Sequence, residues 1–186
     1  VVRSVYDLKD SNCSELQYLE DVKYADFGHD EYLNDSSFLS GMKSLEVLII
    51  SGSPIKDLSP LSQCKNLRIL EIANCGYITD LSPLEDCESL EMLNISHTKA
   101  TEGLSALEER NMTHLTAVGG IWNKISQEDR DAFQEDHPDC WIVTSGNEYG
   151  VGWRYEDKET KMEWYEKASE AFKYPHAPNN VGWYLE

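Results

Sequence analysis

Leu45-Glu46-Val47-Leu48-Ile49-Ile50 is the stretch whose reading decides the fold. It recurs as Leu67-Arg68-Ile69-Leu70-Glu71-Ile72, as Leu90-Glu91-Met92-Leu93-Asn94-Ile95 and as Met112-Thr113-His114-Leu115-Thr116-Ala117. The copies start at 45, 67, 90 and 112, so the steps are 22, 23 and 22 residues. A weaker copy, Leu19-Glu20-Asp21-Val22-Lys23-Tyr24, precedes the first by 26 residues. A fixed period of about 20–29 residues with an LxxLxL core marks a stack of small units, none of which can bury its own leucines.

The second half of each unit repeats as well. Ile55-Lys56-Asp57-Leu58-Ser59-Pro60-Leu61 matches Ile78-Thr79-Asp80-Leu81-Ser82-Pro83-Leu84. Residues 100–107 are a degenerate third copy, and Val5-Tyr6-Asp7-Leu8 resembles the tail of an earlier unit. Leu48 and Ile50 alternate with Val47, Ile49 and Ser51, which is strand periodicity. Ser59-Pro60 and Ser82-Pro83 predict a helical turn with serine as N-cap and proline at N1. Ser82 with Glu85, and Ser105 with Glu108, have capping-box spacing. Gly76 is expected to accommodate the extra residue of the 23-residue step.

This pattern resembles the 22-residue class of leucine-rich repeats found in internalin-like bacterial proteins, over residues 5–125. The resemblance implies an α/β fold: a right-handed leucine-rich-repeat solenoid, with a parallel sheet on its concave face and short helical turns on its convex face. About five coils, the first irregular, are expected within residues 1–140, and an aromatic-rich C-terminal capping segment over 141–186. The chain departs from the family where asparagine usually follows the strand. Ser53, Cys75 and Thr98 stand there instead and should give a looser hydrogen-bonded ladder. The resemblance also implies a bacterial protein, secreted or attached to the cell surface.

Outward strand residues should line up in columns. One is expected to contain Asp21, Val47, Ile69, Met92 and His114, and the next Lys23, Ile49, Glu71, Asn94 and Thr116. A third would hold Ala25, Ser51, Ala73 and Ser96. Val47, Ile49, Ile69 and Met92 are thereby expected to form an exposed apolar patch with a polar edge. Soluble monomers seldom keep such a patch without a use. Val47, Ile49, Ile69, Glu71, Met92, Asn94, His114 and Thr116 are the candidate ligand-binding residues for a protein or peptide. The competing reading is that the chain's own termini or a second copy cover the patch.

Other chemistry is poorly represented. The formal charge of −18 disfavours nucleic acid and anionic membranes, which need clustered Lys and Arg. No apolar run reaches the roughly 18 residues of a membrane span. The chain opens on Val1 without a basic-then-apolar leader, and is expected to be a fragment or a mature form. Cys13, Cys64, Cys75, Cys87 and Cys140 form no CxxC pair and no zinc spacing. Cys64 and Cys87 occupy one repeat position and should stack in the core as small hydrophobes. His97 and His114 fall in neighbouring coils, with neither a nucleophile elbow nor a third metal ligand in the sequence. No enzyme, metal or cofactor is expected.

Past Ile125 the repeat gives way. Ser126 should cap a helix that Pro138 stops, and Cys140-Trp141-Ile142-Val143 should be a strand. Residues 141–186 hold ten of the nineteen aromatic side chains, and 159–174 have helical periodicity. This tail is expected to cap the last coil; alternatively it binds carbohydrate or cell wall through Trp and Tyr faces.

Overall fold

The computed structural model describes residues 8–145. Six three-residue strands form one parallel sheet in sequential order. They are β1 (Tyr24–Asp26), β2 (Val47–Ile49), β3 (Ile69–Glu71), β4 (Met92–Asn94), β5 (His114–Thr116) and β6 (Trp141–Val143). Each strand is followed by a turn out of the sheet and a return path through a 3-10 turn. These turns are Ser37–Gly41, Ser59–Gln63, Ser82–Asp86 and Leu104–Leu107, with Ser14–Tyr18 ahead of β1. One α-helix, α1 (Gln127–Asp136), lies between β5 and β6. The architecture is the leucine-rich-repeat solenoid the spacing predicts. The expected aromatic cap falls on residues outside the described region, apart from 141–145.

The inward set is continuous from coil to coil. Leu45, Leu48 and Ile50 are fully buried, as are Leu67, Leu70 and Ile72 and the later equivalents Leu90 and Ile95. Leu61, Leu84 and Leu107 from the return paths close the same core. Burying one such side chain is worth about 1.5–3 kcal/mol, and stacking supplies the burial. Backbone bonds extend the ladder past each strand: Ile50 N–H donates to Glu71 O, Ile72 N–H to Asn94 O and Ile95 N–H to Thr116 O.

The first repeat sits three residues later than the LxxLxL alignment from Leu19 places it. Tyr24 pairs with Val47 and Ala25 with Leu48. The unit is therefore Val22-Lys23-Tyr24-Ala25-Asp26-Phe27, 23 residues before Leu45. Ala25 and Phe27 take the inward positions and are fully buried. Phe27 fills the volume that small Ala25 leaves and meets Phe38 edge-on at 5.6 Å.

The helical turns are capped differently from the serine reading. The serine caps no turn with its side chain, and Leu58 and Leu81 hold the N-cap position. The preceding aspartates do the work: Ser59 N–H donates to Asp57 Oδ1 and Ser82 N–H to Asp80 Oδ1, both at 2.8 Å. Ser37 N–H donates likewise to Asp35 Oδ1. A short carboxylate folding onto the amide two residues on is the Asx-turn. The Ser82 hydroxyl and amide hold the Asp80 carboxyl below its ordinary range.

Each coil leaves the sheet through a left-handed residue. His29, Gly52, Asn74, His97 and Gly119 all have positive φ, between 57° and 80°. Their spacing is 23, 22, 23 and 22. Glycine, asparagine and histidine are the residue types that tolerate this conformation. The extra residue of the third coil lies in the turn just beyond Asn74, beside exposed Tyr77. The ladder after the strands is loose but present: Cys75 Sγ donates to Ile50 O at 3.1 Å, and Thr98 Oγ1 to Ile95 O at 2.6 Å.

The C-terminal end of the core is closed by α1. Ser126 caps it as expected, its Oγ accepting from Asp129 N–H. Phe133 is buried against the last coils and stacks on His137 at 4.5 Å. His137 Nε2 donates to Leu107 O at 3.0 Å. The chain then enters β6, which pairs with β5 and carries the sheet past residue 140.

Candidate functional site

The parallel register places all eight candidate residues as predicted. Val47, Ile69, Met92 and His114 are direct neighbours in one column, which Tyr24 begins and Trp141 ends. Ile49, Glu71, Asn94 and Thr116 form the next, running from Asp26 to Val143. Asp21 and Lys23 do not belong to these columns, and Ala25 points inward, because the first strand is shifted.

The apolar patch is not exposed. Val47 is 3% accessible, Ile49 5%, and Ile69 and Met92 8%. These four form a second hydrophobic cluster, separate from the core, with Tyr24 against one side. Their polar neighbours are buried too: Glu71, Asn94 and Thr116 keep 6% or less of their surface. Alternation along a strand decides which face a side chain takes. It does not decide whether that face meets water.

The polar column has a defined orientation. Asn94 Oδ1 accepts from Ser96 N–H at 3.0 Å, which turns the side-chain amine toward Glu71 Oε1, 3.1 Å away. The two side chains thus lock across β3 and β4. His114 is half-buried, its Nδ1 3.1 Å from Thr113 Oγ1 and its ring 5.3 Å from that of Trp141. Beside the sheet a further column alternates in charge. Lys23 pairs with Glu46, and Arg68 grips Glu91 by two bonds of 2.9 and 2.8 Å. Bidentate pairing of this kind fixes geometry more than a single contact does.

Tyr24, Trp141 and the Arg68–Glu91 pair are the members of this face that the sequence reading missed. A 23-residue step back from Leu45 would have found Tyr24, and one step on from His114 through the interrupting helix leads to Trp141.

Nothing in the surroundings supplies catalytic chemistry. The His97 ring lies over the backbone of Gly119, and that of His114 against Trp141, so each is engaged in its own packing. Among the described residues no three His, Cys, Asp or Glu side chains gather as metal ligands. The cysteines there are free thiols. Cys64 Sγ donates to Leu39 O and Cys87 Sγ to Leu61 O, inside the stacked core. Burial pushes the Cys64 thiol up to about 11 and that of Cys87 up to about 12. No described helix is long and apolar enough to cross a membrane.

The columns and turns define a class of fold, and comparison with known proteins agrees. A family model described as leucine-rich repeats in two copies matches residues 43–86. No curated protein sequence matches the chain. Among solved structures, an internalin of Listeria monocytogenes shares 18% identity over 76% of this chain and 52% of its own, with a TM-score of 0.50. A leucine-rich-repeat protein of Leptospira interrogans shares 21% identity over 76% of this chain and 34% of its own, with a TM-score of 0.58. The chain therefore spans about half the length of the first neighbour and about a third of the second. Its fold is the leucine-rich-repeat solenoid, with the repeat seen in internalins. Such a fold generally serves as a protein-binding repeat module.

Proposed function

We propose that the chain is a non-catalytic module whose concave face docks a protein or peptide segment. The apolar column Val47, Ile69 and Met92 with Ile49 would anchor the segment. Glu71, Asn94, His114 and Thr116 would read its polar groups. The observation carrying this reading is the second hydrophobic cluster. Four apolar side chains leave the sheet on the side away from the core, yet are held out of water. A face that excludes water from apolar side chains is a contact face, and buried apolar anchors dominate such contacts.

The internalin resemblance places the protein outside the cell or on its envelope. The partner's chemistry follows from the columns: a short apolar run flanked by groups that hydrogen-bond a carboxylate and an amide.

The test is selection of displayed random linear peptides on the intact chain. Selected peptides should lose at least about tenfold in affinity, roughly 1.4 kcal/mol, on Ile69→Lys or Glu71→Ala. They should keep it on Lys56→Ala, an exposed side chain in the return path. Peptides that bind all three variants equally would place recognition elsewhere.

A further inference from the structure

We infer that the concave face is occupied by the chain's own residues 146–186, which act as a built-in competitor for any external partner. The inference rests on the reading of that face as a docking surface. It names the first occupant.

Three observations lead to it. First, the burial arises within one chain. In-plane neighbours shield the flanks of an outward side chain on a sheet but leave its tip open. Val47, Ile49, Ile69 and Met92 nonetheless keep only 3–8% of their surface. Among the described residues, Tyr24 is the partly buried apolar side chain packed against them. The remaining cover has to come from residues 1–7 or 146–186.

Second, the task expected of the aromatic tail is already done. The end of the core is closed by α1, through Phe133, with Leu107, Ile121 and Ile125 beneath it almost wholly buried. Residues 146–186 still carry nine aromatic side chains, among them Trp153, Trp164 and Trp183. So much apolar surface needs a place to go, and the sheet offers an apolar column for it.

Third, the path is short and marked. The described chain leaves β6 directly beside β5, in the column that runs Trp141, His114, Met92. Two strand spacings, about 10 Å, separate Trp141 from Met92. Three or four extended residues at about 3.3 Å each span that distance. Residues 1–7 are the poorer candidate. They lead into Leu8, which is buried in the core, its N–H bonded to Asp30 Oδ1 in the return path of the first coil.

The consequence is regulatory. An external segment must displace residues 146–186 before it meets Ile69 and Met92, so apparent affinity falls by the fraction of chains that are open.

The experiment uses the full chain, dilute, with Met92→photomethionine, a near-isosteric diazirine replacement. Irradiation and peptide mapping should find intrachain crosslinks from position 92 into 146–186. Crosslinks into 1–7, or into a second copy, would overturn the inference and leave the face a docking surface. Solvent adducts alone would overturn both. A second measurement guards against a silent probe. Met92→Lys should speed proteolysis within 146–186 on the order of tenfold, since cleavage follows the open population, while cleavage within 47–116 stays unchanged. An unchanged rate within 146–186 would overturn the inference as well.

Discussion

Replacing Gly119 by alanine should destabilise the chain far more than the same change one residue later. Gly119 and Gly120 both have positive φ, at 80° and 78°. Alanine in that conformation costs about 1–2 kcal/mol at either site. The surroundings differ. A Cβ at Gly120 meets nothing within 4 Å, whereas one at Gly119 would lie 2.2 Å from His97 Nδ1 and 2.5 Å from Cε1. The ring cannot stay where it is, and forcing atoms into a packed site costs about 1–3 kcal/mol more. Gly119→Ala should thus lose about 2–5 kcal/mol in total, and Gly120→Ala only the backbone share. Urea denaturation of the two variants, followed by far-UV circular dichroism, measures the difference. His97→Asn in the Gly119→Ala background should recover most of the excess, because asparagine tolerates the left-handed conformation without the ring. Equal losses for the two glycines, or no recovery, would refute the assignment of His97 as the obstacle.

The other expectations are shorter. Cys64 and Cys87 should resist alkylation in the native chain at pH 8 and react on unfolding, because burial raises both thiols and shields them; fast native labelling would remove them from the core. Half-buried Cys140 should react before either. Asp80→Asn should cost stability at neutral pH, about 0.5–2 kcal/mol as for other lost caps and turned toward the low end by exposure. Its carboxyl sits below the ordinary value of 3.8, so its contribution is complete above that pH and is lost as pH falls through the lower folded-state value. The gap between Asp80→Asn and the parent should therefore close on acidification below about pH 4, and a gap that widened would contradict the Asx-turn.

The stacked strands were legible because burial by stacking demands the same residue type at the same place in every coil. Leu48, Leu70, Leu93 and Leu115 repeat chemically, so the eye finds them. The first strand was harder. Its inward residues are Val22, Ala25 and Phe27, which conserve total volume rather than residue identity, and Leu19 offered a false start. The caps were misassigned because serine and aspartate both satisfy amides at turn starts, and only coordinates say which side chain bonds. The pivots His29, Gly52, Asn74, His97 and Gly119 escaped notice altogether. They share a backbone angle and little chemistry. The eight concave residues were placed correctly by alternation, but their burial was not, since cover comes from chain distant in sequence.

Helix α1 has one consequence for recognition. By sealing the last coil it fixes how many strands the sheet presents, and so makes the solenoid a ruler. Six strands have five gaps of about 4.8 Å, or about 24 Å of width. An extended chain lying across them would set about seven residues against the graduations. Lengthening the measure requires inserting whole coils ahead of α1, each adding room for between one and two residues more.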